Sequence, residues 1–330
     1  MSDARFDVVG IGNAIVDVLS HESDDFLTRH AMTKGTMALI DTAAADTLYA
    51  AMAPGIECSG GSAANTIAGL ASLGGRGAFI GKVRDDELGK VFHHDIEAIG
   101  VHFPTAPATD GAPTARCLIN VTPDAERTMS TFLGACVELG PNDVDEDVVR
   151  AAKVTYLEGY LWDKEDAKAA FVKAAEIAHA AGREVSLSLS DPFCVDRHRE
   201  SFLELVEGHV DILFANEDEI MSLYQVDTFD AALQHVRGHC KVAALTRSSK
   251  GSVVAHGDEI HIVDGEPDVN VVDTTGAGDA YPAGFLLGNT PGCHDALALC
   301  LNSAPLDPAA TTHPIAARPL HTTHHTHPDL

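Results

Sequence analysis

Basic residues are scarce in this chain. Its 330 residues hold 22 Lys and Arg against 49 Asp and Glu, a formal net charge of −27. A surface that acidic repels nucleic acid and anionic membranes, so neither is expected as a partner. Long apolar runs are missing as well. No window carries 18 uncharged apolar residues in succession, and the opening MSDARFDVVG has no extended apolar stretch. Neither a membrane span nor a secretory leader is expected. The seven Cys are scattered, odd in number and without a C-x-x-C pair. That argues against a disulfide framework or a zinc site and for free thiols in a reducing cytoplasm. Two common nucleotide fingerprints are also incomplete. Gly10-x-Gly12 lacks a third glycine because Ile15 stands there, and Gly81-Lys82 has Arg76 and Val83 where a phosphate loop needs Gly and Ser or Thr.

What remains is an ordinary globular composition, 45% apolar with mean hydropathy +0.02. Strands are expected at residues 6–12, 78–83, 153–157, 184–189, 210–214 and 242–246. Helices are expected at about 86–99 and 165–181 and from about 278. This alternation implies an α/β fold with a mostly parallel sheet. Residues 36–41 read as a short alternating segment. Residues 115–121 and 128–133 read as two strands with no helix between them, a hairpin at the sheet edge or a small β lid. From Pro291 the hydrophobic periodicity fades into a Pro/Thr/His-rich run. Residues 1–290 therefore form the expected domain, and 291–330 an atypical, poorly packed tail. Four of the six His in that tail, at 321, 324, 325 and 327, cluster near its end with no spacing that defines a metal geometry.

The strongest chemical feature is Asp273-Thr274-Thr275-Gly276-Ala277-Gly278-Asp279. It follows a strand and opens a helix. Gly276, Ala277 and Gly278 leave backbone N–H groups open to an anion at the positive end of a helix dipole. Asp279 then stands beside an anion hole, badly placed to bind phosphate and well placed to take a proton from an attacking hydroxyl. Such a site must concentrate positive potential locally, because the net charge opposes a nucleotide.

This run, with Gly284-Phe285, resembles the C-terminal signature of the ribokinase-like (PfkB) carbohydrate kinases. Gly60-Gly61-Ser62-Ala63-Ala64-Asn65, continuing to Gly81-Lys82-Val83-Arg84-Asp85-Asp86-Glu87-Leu88-Gly89, resembles the N-terminal one. The resemblance covers residues 5–290. It implies a three-layer α/β/α fold with a β lid from segments at about 13–41 and 115–133. It also implies ATP-dependent phosphorylation of a primary hydroxyl by a cytoplasmic monomer or homodimer. Asp279 would be the catalytic base, and Gly276, Ala277 and Gly278 the anion hole. Asn13, Asp17, Gly60, Gly61 and Asn65 would contact the acceptor. Asn216, Thr246, Gly251, Thr275, Gly276 and Gly278 would contact ATP. Glu219 would reach Mg²⁺ through water, since Mg²⁺ keeps much of its hydration. Asp273 and Thr275 match two ligand positions of a monovalent cation site (K⁺). In Thr246-Arg247-Ser248-Ser249-Lys250-Gly251, Ser248 stands where the family more usually has Gly.

The opening Gly-Ile-Gly-Asn with Asp17, and Asp211-Ile212-Leu213-Phe214 before Asn216, are similar to the adenosine-kinase-like branch. There Arg127 would stabilise the transferring phosphate, and Met37, Met129 and Thr131 would form an apolar wall for a purine. Two alternatives stay open. One is a sugar kinase acting on ribose, fructose or 2-keto-3-deoxygluconate. The other is a kinase-like binding protein disabled by its altered C-terminus.

Overall fold

The computed structural model describes residues 4–265 and 276–288. The expected tail at 291–330, and Asp273 and Thr275, lie outside the described residues. Among the described residues there are thirteen strands: β1 (Phe6–Ile11), β2 (Ile15–His21), β3 (Met37–Leu39), β4 (Ile56–Gly60), β5 (Gly77–Ile80), β6 (Ala115–Val121), β7 (Arg127–Phe132), β8 (Ala152–Glu158), β9 (Glu184–Ser188), β10 (Ile212–Asn216), β11 (Val242–Thr246), β12 (Ser252–His256) and β13 (Glu259–Val263). The described α-helices are α1 (Asp24–Arg29), α2 (Thr42–Ala51), α3 (Ser62–Ser72), α4 (Glu87–Ala98), α5 (Glu146–Ala151), α6 (Glu165–Ala180), α7 (Pro192–His209), α8 (Glu217–Tyr224), α9 (Phe229–Val236) and α10 (Ala277–Gly288).

Eight strands form one sheet in the order β13-β12-β11-β10-β9-β8-β1-β5. From β5 to β11 every pairing is parallel, and the β12–β13 hairpin closes one edge antiparallel. Successive side chains point to opposite faces, so each central strand feeds two cores. Val8, Tyr156, Phe214 and Ala244 pack with Ile67 and Leu70 of α3, Phe92 and Ile96 of α4, and Ala283 and Leu286 of α10. Val9, Leu157, Leu213 and Leu245 pack with Phe171 of α6, Phe202 of α7, Leu223 of α8 and Leu233 of α9. Helices on both faces of a mostly parallel sheet give the expected three-layer arrangement.

The lid is a second sheet of five strands in the order β3-β7-β6-β2-β4. Two of its strands were not expected. The stretch after β1 is β2, whose burial alternates along Ile-Val-Asp-Val-Leu, and the Gly/Ser turn at 59–62 is the end of β4. Directly paired residues share a face of a sheet. Cys58, Asp17, Cys117 and Thr131 form one cross-strand row; Leu19, Ile119, Met129 and Met37 form the next. The opposite face carries Val16, Val18 and Leu118, which pack into the core with Leu48 of α2 and Phe92 of α4.

Candidate active site

The parallel strands end at one edge of the large sheet, where α/β folds place their ligands. β1 ends at Ile11 and leads to Asn13. β8 ends at Glu158, and β10 and β11 end side by side at Asn216 and Thr246. Helices α3 and α10 meet at the same edge. Asn65 touches Asp279, and one turn further along each helix an added Cβ on Gly69 would lie 3.2 Å from Ala283 Cβ. The two helices therefore run side by side in one direction with both N-termini at the cleft. Two positive helix ends supply the local potential that an anion requires in so acidic a protein. Gly276 has φ +75°, a left-handed conformation that glycine takes without strain. Among the described residues, added Cβ atoms on Gly276 and Gly278 would meet nothing within 4 Å.

Asp279 is half-buried at the start of α10. Ser62 Oγ donates to its Oδ1 at 2.7 Å, and Asn65 Nδ2 donates to its Oδ2 at 3.1 Å. Burial pushes its pKa up to about 6, and these two hydrogen bonds hold it from rising further. Asp17 lies close enough to sense it. Burial, then the Asp279 charge, push the Asp17 carboxyl up to about 7 against the attraction of Arg127. A Cβ on Gly60 would sit 2.5 Å from the Asp17 carboxylate, so any side chain there would displace Asp17. Gly61 has φ +101°, and its Cβ would meet the Asn13 backbone oxygen at 2.2 Å.

Asn13 sits differently from the expectation that it contacts the acceptor. It is 2% exposed, and its amide is engaged inside the protein. Nδ2 donates to Glu158 Oε1 at 2.7 Å, and Oδ1 accepts from Cys136 Sγ at 2.9 Å. Glu158 was not singled out in the sequence. Its carboxylate also accepts from Ala63 N at 2.8 Å and from Asn13 N at 3.3 Å, so it ties the β1–β2 corner to the start of α3. Burial raises its pKa to about 7, opposed by these hydrogen bonds. An acidic residue closing the apolar run Val154–Leu157 was its one signal in the sequence.

At the end of β10, Asn216 caps α8 and forms a reciprocal box with Glu219. Asn216 Oδ1 accepts from Glu219 N at 2.8 Å, and Glu219 accepts from Asn216 N at 2.9 Å and Asn216 Nδ2 at 2.6 Å. Glu219 is buried, and burial with the charges of Asp191 and Asp218 raises its pKa to about 7. Among the described residues no group of three His, Cys, Asp or Glu is placed to hold a metal ion. Thr246 and Gly251 bracket a short turn in which Arg247 and Lys250 both pair with Glu217. Ser248 has φ +52°, which explains why glycine is the easier residue there.

Met37, Met129 and Thr131 lie on the lid face that carries Asp17. Met37 and Leu39 are 52% and 56% exposed, and Thr131 is buried and donates to Cys117 Sγ at 3.3 Å. Arg127 belongs to the same face, two positions from Met129. Cys58 and Cys117 flank Asp17, and burial pushes both thiols up to about 12.

The raised carboxyls make stability depend on pH. Asp17, Glu158, Glu219 and Asp279 hold protons in the folded chain up to about pH 6–7 that the unfolded chain releases near pH 4. Stability from these groups therefore falls as pH rises through that window. Asp7 acts oppositely. Despite its burial, Arg76 and Lys153 hold it to about 2, so its contribution is lost only as pH falls from about 4 to about 2. We expect Tm to be higher at pH 5 than at pH 8 in thermal melts, with a shallower slope in Glu219→Gln. A Tm that climbs steadily from pH 5 to pH 8 would contradict this.

The family model for pfkB family carbohydrate kinases matches residues 57–294. The chain belongs to that family, and it is an ATP-dependent kinase acting on a nucleoside or a sugar. Among solved structures it is similar to a probable sugar kinase from Rhizobium etli CFN 42, 53% identical with a TM-score of 0.82, over 91% of this chain and 92% of that one. It is also similar to adenosine kinase from Sinorhizobium meliloti, 54% identical with a TM-score of 0.80, over 89% of this chain and 90% of that one. Probable fructokinase-4 of Arabidopsis thaliana is 29% identical over 253 residues, 71% of this chain and 74% of that protein. No helix among the described residues is long and apolar enough to cross a membrane.

Proposed function

We propose that this enzyme is a nucleoside kinase that transfers the γ-phosphoryl group of MgATP to the primary hydroxyl of adenosine or a close analogue. The observation that carries this reading is the composition of the Asp17 face of the lid. Apart from Asp17, Arg127 and His21 at its far corner, that face is built from small, thiol and apolar residues with Thr131. Leu19, Met37, Leu39, Ile119 and Met129 offer a plane for a flat ring, and one carboxylate offers an acceptor for a ribose diol. A bare sugar leaves such a plane unused, and a sugar acid requires more cationic partners. The 54% identity to an adenosine kinase supports the same choice.

In this reading Asp279 accepts the proton of the attacking hydroxyl. The N–H groups of Gly276, Ala277 and Gly278 hold the charge on the transferring phosphoryl group, and Arg127 assists from the lid. Gly60, Gly61 and Asn65 seat the acceptor. Asn13 fixes the corner from which β2 carries Asp17. Asn216, Thr246, Gly251 and Thr275 serve the nucleotide. Mg²⁺ would supply charge neutralisation on the triphosphate, with Glu219 the carboxylate that would serve it, and Asp273 and Thr275 would serve a K⁺ site. Free thiols fit a cytoplasmic enzyme.

Asp17→Asn tests the diol assignment. Loss of a hydrogen bond to a charged group should raise KM for adenosine on the order of 10–100-fold. KM for 2′,3′-dideoxyadenosine should change far less. An equal effect on both acceptors in steady-state assays would remove Asp17 from the diol.

A further inference from the structure

Asp279 is steered by a residue with no part in the acceptor reading. Ser62 opens α3, and its hydroxyl reaches Oδ1 of Asp279 at 2.7 Å across 217 positions of sequence. Three features fix where that hydroxyl points. Gly61, with φ +101°, turns the chain into the helix. The next N–H, that of Ala63, is pinned to the buried carboxylate of Glu158 at 2.8 Å. The close passage of Gly69 against Ala283 sets the separation of the two helices. Asn65 takes the other oxygen of Asp279, so α3 holds the base as a two-point clamp.

We propose that Ser62 is a positioning residue for phosphoryl transfer, whose hydroxyl fixes the orientation of the Asp279 carboxylate and keeps it in the ionised form that accepts the acceptor's proton. The inference rests on the reading of Asp279 as the general base. A carboxylate oxygen has two lone pairs, so an oxygen that accepts from Ser62 still has one for the incoming hydroxyl. The clamp also opposes strong pressure towards protonation. Burial acts on Asp279, and its charge in turn reaches the groups that face it: Glu158 on β8, Asp17 on β2 and the Tyr156 phenol on β8. Arg127 of β7 acts on Asp17, while α3 contributes the neutral donors Ser62 and Asn65. Removing one donor leaves a carboxyl that protonates at higher pH.

The test is the pH dependence of kcat and kcat/KM in Ser62→Ala, with Ser62→Thr and Ser62→Val as a near-isosteric pair differing in the hydroxyl. In Ala and Val the acid limb should move up by about one pH unit, the size of one lost hydrogen bond to a charged group. Turnover should fall several-fold below pH 7 and recover on the alkaline side, with acceptor KM nearly unchanged. Ser62→Thr should keep the wild-type limb. Where Ser62→Ala melts early, the comparison of Thr with Val decides. Identical acid limbs in Thr and Val, or a wild-type limb in a folded Ala variant, overturn the role of Ser62. Asp279→Asn separates the two readings. If it is inactive while Ser62→Ala behaves as wild type, only the Ser62 inference falls. If it stays active, the base assignment falls and takes Ser62 with it.

Discussion

Asp279→Asn should lower kcat on the order of 10²–10⁴-fold, the range for loss of a general base, while the fold is retained. The substitution keeps the shape of a side chain at the start of α10. Asn Oδ1 can still accept from Ser62, and Asn65 can flip its amide to meet the new NH₂ group. Stability should not suffer. The native carboxyl is pushed up to about 6 by burial and shares the cleft with Asp17 and Glu158, so a neutral amide relieves unfavourable charge at pH 8. Tm at pH 8 should equal or exceed that of the wild type. ADP release within a few-fold of wild type would remove Asp279 from the chemistry. Inactivity accompanied by an early melt would point to a structural role instead.

Gly61→Ala should be the most damaging single methyl group in the cleft proposed to seat the acceptor. Its φ of +101° already costs an L-residue about 1–3 kcal/mol. The added Cβ would also sit 2.2 Å from the Asn13 backbone oxygen. Asn13 cannot yield easily, because Glu158 and Cys136 hold both ends of its amide. The start of α3 must move instead, and it carries Ser62 and Asn65 away from Asp279. A shift near 1 Å is enough to lose on the order of 10² in rate. Gly74→Ala is the matched control, since Gly74 has φ +90° but its Cβ would meet nothing within 4 Å among the described residues. The control carries the backbone strain without the clash. Equal Tm and equal activity in the two variants would show that the Gly61–Asn13 contact does not set the site.

The residues legible in the sequence were those whose chemistry demands particular types at a turn. Gly276, Ala277, Gly278 and Asp279 lie where a helix begins, and the Gly60-Gly61 pair and Asn216 with Glu219 lie where a strand ends and a helix begins. Small residues, caps and acids stand out there without knowledge of the fold. Glu158 did not stand out, because one acid after an apolar strand has no spacing pattern, and its partners come from β1 and α3. Ser62 was visible only as part of a motif, since its partner is 217 positions away. Asn13 stood out in the sequence as a candidate position, but its engagement with Glu158 and Cys136 depends on a fold that buries it. In the lid, β6 and β7 showed as an apolar pair, while β2 and β4 were missed. β2 interrupts its apolar alternation with Asp17, and β4 ends in Ser59-Gly60, which locally reads as a turn. The face that carries the acceptor reading exists only once five strands from residues 15 to 132 take their register.

The most direct measurement is ADP release by the purified protein with MgATP across a panel of acceptors: adenosine, other nucleosides, ribose, fructose and 2-keto-3-deoxygluconate. The expected result is the highest kcat/KM for adenosine, exceeding ribose and fructose on the order of 10²-fold because only the nucleoside fills both the Asp17 pocket and the apolar plane. A preference for fructose or another free sugar, or silence across the panel from a folded protein, would contradict the nucleoside kinase assignment.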